Sequence, residues 1–189
     1  MVAADLPGDD PTATLHDYAA VVPKADVVVG HSLAGLTIPL VHAPHRVYLC
    51  AFVPAWGRPT RELFAEGALL PGFPDNGITR DERGRTVWVD DEYALSAMYA
   101  DCDRAVALQA YALLRPQASE IYDGPYPLAE APDGRATYVV GSADRAVSPE
   151  WGRRVAPERL GVDAIEFQSS HSPMLSRPAD LANLLDDLA

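Results

Sequence analysis

The stretch Asp26-Val-Val-Val-Gly30-His31-Ser32-Leu33-Ala34-Gly35 decides how the rest of the chain is read. Val27, Val28 and Val29 are apolar and β-branched, the composition of a strand buried on both faces. Gly30 removes a side chain where the backbone must turn sharply. Ser32 stands at the tip, and Leu33 to Val41 can wind into a helix. A strand, a tight turn bearing a serine, and a helix together make a nucleophile elbow. Ala34 occupies the place where the strict G-x-S-x-G pattern has glycine, and Gly35 follows one place later. Alanine is small enough to let strand and helix approach. The turn lifts the hydroxyl out of the sheet, and the first N–H groups of the new helix point at whatever Ser32 attacks. The competing reading is a plain Gly-Ser turn between a strand and a helix.

Working outward, 189 residues and 48% hydrophobic content suit one globular domain with a sizeable core. The net charge of -12 repels nucleic acid and anionic membranes, so neither is expected as a partner. No run of about eighteen apolar residues is available to span a membrane. The first residues, Met-Val-Ala-Ala-Asp5-Leu-Pro-Gly8, carry neither the basic nor the apolar region of a signal peptide, so a cytoplasmic setting is expected. Cys50 and Cys102 then read as reduced thiols. His42 and His45 read as surface residues, and no Cys/His cluster has metal-ligand spacing, so neither metal nor cofactor is expected.

Taken in order, residues 2 to 5 suggest a very short strand, ended by a turn at Asp5-Leu-Pro-Gly8. Thr12 or Thr14 can cap a helix reaching about Val22. After the elbow and its helix, which Pro39 should bend or end, Val47 to Val53 reads as a second buried strand. Residues 54 to about 130 change character: prolines and glycines punctuate loops, and Thr86-Val-Trp-Val89 suggests a hairpin arm. Asp90 or Asp91 can cap a helix to about Tyr99, and Asp101 or Asp103 another to about Leu114. This segment is expected to be a helical cap inserted between core strands. Arg135 to Gly141 returns to strand character, Ser148-Pro149 starts a helix, Ala164 to Gln168 is the last strand, and Pro178 opens a final helix with a leucine stripe. Strands alternating with helices predict an α/β fold, a doubly wound, mostly parallel sheet.

In such a sheet, working residues gather on loops at the carboxyl ends of strands. Ser32 follows the first strand, Asp144 the Arg135 strand and His171 the last. Asp123, Asp133 and Asp163 also lie in loops and remain alternatives to Asp144. The order Ser, Asp, His suits an imidazole that takes the serine proton and a carboxylate that fixes its tautomer.

The segments Asp5-Leu-Pro-Gly, Gly30-His-Ser-Leu-Ala-Gly, Tyr48-Leu-Cys-Ala-Phe-Val-Pro, Gly141-Ser-Ala-Asp144-Arg-Ala-Val and His171-Ser-Pro-Met-Leu-Ser-Arg-Pro span almost the whole chain. In order and spacing they resemble the α/β-hydrolase superfamily, and within it the branch of plant methyl esterases and hydroxynitrile lyases. The resemblance implies Ser32 as nucleophile, Asp144 as acid, His171 as base and the Leu33 N–H as oxyanion donor. It implies a small ester as substrate, contacted by His31, Phe52, Trp56 and Trp88, with Phe64, Phe73, Tyr93 and Tyr99 as further apolar walls. Lyases of this branch carry a lysine after the catalytic histidine, where this chain has Ser172, so the resemblance favours ester hydrolysis. Family members also begin with further strands and a His-Gly loop that donates a second oxyanion N–H. The pattern matched here starts at the family's fourth strand, as if truncated at its N-terminus. One missing donor costs about 2.7–4 kcal/mol of transition-state stabilisation, so a weak or inactive relative that binds a small apolar ligand is the alternative. Without a neighbouring strand, the Val27 strand would be an exposed apolar edge through which a homodimer could form.

Overall fold

The computed structural model describes residues 2–73 and 77–189. Its centre is a parallel sheet of four strands in the order β1, β2, β5, β6, comprising Val27–His31, His45–Leu49, Arg135–Gly141 and Ala164–Phe167. The β2 strand lies between β1 and β5 and is buried along its whole length. Side chains alternate across it as a strand dictates. Val47 and Leu49 join Val139 of β5 on one face, with Phe167, Leu181 and Leu188. Tyr48 joins Tyr138 and Val140 on the other, with Leu36, Ile38, Trp151 and Val155. Helix α7, Pro178–Leu188, presents the expected leucine stripe to the first face. Helices α1 (Leu15–Ala20) and α5 (Pro149–Val155) pack on the second.

Local sequence signals place several boundaries. Thr14 and Asp17 form a reciprocal capping box at α1. Ser148 caps α5 with Pro149 at its first position. Between β2 and β5 the chain inserts α2 (Glu62–Ala65), the antiparallel hairpin β3–β4 (Ile78–Arg80 and Thr86–Trp88), α3 (Asp91–Met98) and α4 (Arg104–Ala112). Asp90 and Asp103 cap the last two, and Leu95, Tyr99 and Ala107 pack where those helices meet.

Three expectations are corrected. Residues 2–5 form no strand. The chain after Ser32 is not one helix but two 3₁₀ pieces, Ser32–Leu36 and Ile38–Leu40, because Pro39 cannot supply the N–H that an α-helix needs there. His45 is buried rather than on the surface, and its Nε2 meets the Thr137 hydroxyl at 2.9 Å. Its neighbour Arg46, only 6% exposed, donates to the carbonyls of Ile38, Val41 and Asp133 at 3.1, 2.9 and 2.8 Å. Backbone acceptors rather than a carboxylate thus satisfy a buried cation. On its outer side β1 is a sheet edge, where Val29 keeps 39% of its surface exposed.

Candidate active site

Ser32 follows β1 with φ +53°, a left-handed conformation that side chains rarely adopt. Such strain persists only where the surroundings hold it. Here the Ser32 carbonyl accepts the Phe52 N–H at 3.0 Å, tying the turn to the chain after β2. Gly35 permits this closeness, since a Cβ there would stand 2.1 Å from the Phe52 carbonyl oxygen. A Cβ on Gly30 would stand 2.8 Å from the Ala34 carbonyl oxygen. These distances explain why the stretch is rich in small residues.

The second cluster arises where β5 and β6 end. The Ser142 and Ala143 N–H groups donate to the carbonyls of Phe167 and Ser169 at 2.9 and 3.0 Å, locking the two loops together. Asp144 is 4% exposed and His171 is 0% exposed. Asp144 Oδ1 accepts the N–H groups of Ala146 and Val147 at 2.8 and 3.0 Å. Its Oδ2 lies 2.8 Å from His171 Nδ1. The carboxylate accepts, so Nδ1 carries the proton and Nε2 is the free lone pair. That Nε2 is buried and has no hydrogen-bond partner among the described residues. Of the alternative acids, Asp123 is engaged instead by Arg61.

A cavity of about 710 Å³ joins the two clusters, with Ser32, Leu33 and His171 in its wall. Phe52, Phe64, Phe73 and Trp88 line it. His31 and Trp56 are not part of that lining. His31 lies beside His171, ring centroids 4.7 Å apart, and its Nε2–H donates to the His171 carbonyl at 2.7 Å. Burial, followed by the electrostatic influence of the neighbouring His171, pushes its pKa down to about 3, with the carbonyl bond opposing. This imidazole is therefore neutral near pH 7 and supports the main chain of His171. Trp56 packs edge-on against Tyr126, centroids 5.7 Å apart, and donates its indole N–H to the Arg159 carbonyl at 3.2 Å. The next peptide holds it there, because the Gly57 N–H donates to the Leu128 carbonyl at 2.7 Å. Tyr93 stacks behind Trp88 and Phe73, and Tyr99 sits between α3 and α4.

Sequence reasoning treated Asp101 only as a possible helix cap. Asp103 takes that role, and Asp101 reaches from the α3–α4 turn to the residue before His171. It accepts the Ser170 N–H at 2.8 Å and the Ser170 hydroxyl. Burial pushes the Asp101 carboxyl up, but these donors outweigh it and hold it below its ordinary value. Two cap-competent aspartates two residues apart were the available signal, since a helix needs one. Cys50, buried with φ +46°, also lies in this region. Burial, then the nearby Asp144 charge, pushes its thiol up, so it stays protonated. Among the described residues, no group of His, Cys, Asp or Glu could hold a metal ion, and no helix is long and apolar enough to cross a membrane.

No protein with a curated description matches the sequence significantly. Solved structures do resemble the fold. A pyrethroid hydrolase from Sphingobium faniae JZ-2 superposes with TM-score 0.74 at 21% identity, covering 97% of this chain and 83% of that one. Polyneuridine aldehyde esterase superposes with TM-score 0.73 at 18% identity, over 99% and 86%. Tomato methylketone synthase I, complexed with 2-tridecanone, gives 0.64 at 21% identity, over 92% and 75%. At these identities the likeness concerns the fold. The sequence profile of the Alpha/beta hydrolase family matches residues 2–184, in keeping with the parallel sheet and the serine-bearing turn after its first strand, and the chain belongs to that family.

Proposed function

We propose that the protein is a serine hydrolase that cleaves a small carboxylic ester. The observation that carries this reading is the buried Asp144–His171 pair, with Nε2 unused and His171 in the same cavity wall as Ser32. In the proposed cycle, Nε2 takes the Ser32 hydroxyl proton as Oγ attacks the acyl carbon. The ester C=O electron pair moves onto oxygen, where the Leu33 N–H can donate to it. Collapse re-forms the C=O and expels the alkoxide, which leaves as alcohol with the proton from His171. Water, deprotonated by the same Nε2, then cleaves the acyl-serine, releasing the acid and restoring the hydroxyl. Asp144 keeps the proton on Nδ1 throughout and stabilises the imidazolium. The same reading includes the cap role of residues 54–130, a cytoplasmic setting and homodimer formation through the β1 edge.

The unmade bond at Nε2 favours a second reading, a relative that binds a small apolar ligand without turnover. Hydrogen bonds of this kind often tighten only when substrate binds, so ester hydrolysis is preferred. A fluorophosphonate probe separates the two. Ser32 should be labelled in the wild type and Ser32→Ala should not be; equal labelling of both overturns the assignment. Ligand-dependent thermal stabilisation with neither labelling nor hydrolysis would establish the second reading.

A further inference from the structure

The cavity wall holds three arginines, Arg61, Arg80 and Arg115, and no carboxylate among the described residues. The bias is opposite to that of the whole chain, which has 27 acidic and 15 basic residues. Two of the three are already neutralised: Arg61 meets Asp123, and Arg115 meets Asp5 at 3.0 Å. Arg80 is different. Its hydrogen bond runs to the Gly84 carbonyl at 3.0 Å, within its own hairpin. That bond uses one of five N–H donors and pins the side chain without cancelling its charge.

The hairpin places this charge at a particular point. Arg80 pairs with Thr86 across β3 and β4, and Ile78 pairs with Trp88. All four line the cavity, as does Thr79 between Ile78 and Arg80, and both Thr79 and Arg80 are also exposed to solvent. Along the hairpin the wall changes from Ile78 and Trp88 to Arg80 and Thr86 within two residues, about 7 Å. Gln117 extends the polar end, since it exchanges both main-chain hydrogen bonds with Thr86 at 2.8 Å. An apolar stretch thus leads to a pre-positioned, uncancelled guanidinium, whose planar fork suits a carboxylate.

We propose that the substrate is a half-ester: a carboxylic ester whose apolar chain ends in a second, ionised carboxyl group received by Arg80. The ester part of this proposal rests on the hydrolase reading above; the carboxylate part does not. The test compares p-nitrophenyl hexanoate with the mono-p-nitrophenyl ester of adipic acid, and glutarate and suberate analogues with their neutral counterparts. In the wild type, at least one half-ester should exceed its neutral counterpart in kcat/KM by about tenfold to a hundredfold, the range that a charged hydrogen bond supplies. Arg80→Gln should bring that ratio close to one, Arg80→Lys should restore part of it, and added salt should lower it in the wild type. A ratio near one in the wild type overturns the proposal. So does a ratio that Arg80→Gln leaves unchanged, because a merely structural arginine would affect both esters alike. If no ester turns over, the hydrolase reading fails by itself. Calorimetry of adipate, glutarate and suberate against hexanoate then decides: tighter dicarboxylate binding that Arg80→Gln abolishes supports the site, and equal binding overturns it.

Discussion

Acidification should destabilise this protein through His31, and His31→Gln should remove that effect. The imidazole is neutral in the folded state because its pKa is pushed down to about 3, from an ordinary value of 6.5. In the unfolded chain it takes up a proton near 6.5. Between about pH 3 and 6.5 the unfolded state therefore binds more protons than the folded one, and stability falls as pH falls. Above pH 6.5 both states are neutral and the effect vanishes. One pKa unit is worth about 1.4 kcal/mol. At pH 5 the loss is about 2 kcal/mol if the whole shift counts, and the ceiling near pH 3 is about 5. His31 is half-buried rather than fully buried, so about 1–2 kcal/mol at pH 5 is the working figure.

The assay is thermal melting of wild type and variant at pH 7 and pH 5. Glutamine has an amide N–H to offer the His171 carbonyl and does not titrate. The 27 acidic residues titrate in both proteins, so only the difference between the two pH responses is read. For a chain of this size, about 1–2 kcal/mol corresponds to roughly 2–8 °C of extra loss in the wild type. Identical pH responses would refute the claim that His31 is held neutral at the price of acid stability.

Two further substitutions probe the frame around the site. Gly35→Ala would drive a methyl group to 2.1 Å from the Phe52 carbonyl and 2.9 Å from the Ala51 Cβ. It should cost about 3 kcal/mol or more in urea unfolding, and an unchanged midpoint would show that the elbow can open. Asp101→Ala removes the acceptor of two Ser170 hydrogen bonds, with an expected loss of about 1–3 kcal/mol and a lower kcat on any ester turned over. Because the Asp101 carboxyl is held below its ordinary value, its stabilisation is present above that value and fades as pH falls through the folded pKa. The gap between wild type and variant should therefore close in acid; a gap that persists at low pH would place the effect elsewhere.

What could be read from the sequence was what neighbouring residues decide among themselves. Val27 to Val29 read as a strand because β-branching and apolarity act locally, and the Asp90, Asp103 and Ser148 caps lie within three residues of the N–H groups they satisfy. Loop order alone places Ser32, Asp144 and His171 after the carboxyl ends of strands. What escaped was fixed across the fold. His45 is buried because Thr137, ninety-two positions away, gives its ring a partner. Trp56 turns from the cavity because Gly57 is bonded to Leu128. Arg80 reads as one more charge in a charged loop until the hairpin pairing places it beside Thr86 on the cavity wall.

The site also depends on how its two halves are joined. Ser32 is clamped to the end of β2 through Phe52, whereas Asp144 and His171 are clamped to each other by the bonds between the β5 and β6 loops. These are separate units, and the distance between them decides whether a hydroxyl and an imidazole can exchange a proton. His31 connects them directly: it adjoins Ser32 in sequence and donates to the main chain of His171 at 2.7 Å. Asp101 holds the same loop from the α3–α4 turn through Ser170. The His171 peptide is thus gripped from the elbow and from the α3–α4 turn at adjacent residues. A movement of the α3–α4 turn would therefore reach the imidazole through one residue, Ser170, which couples the segment inserted between β2 and β5 to the His171 loop as well as to the cavity wall.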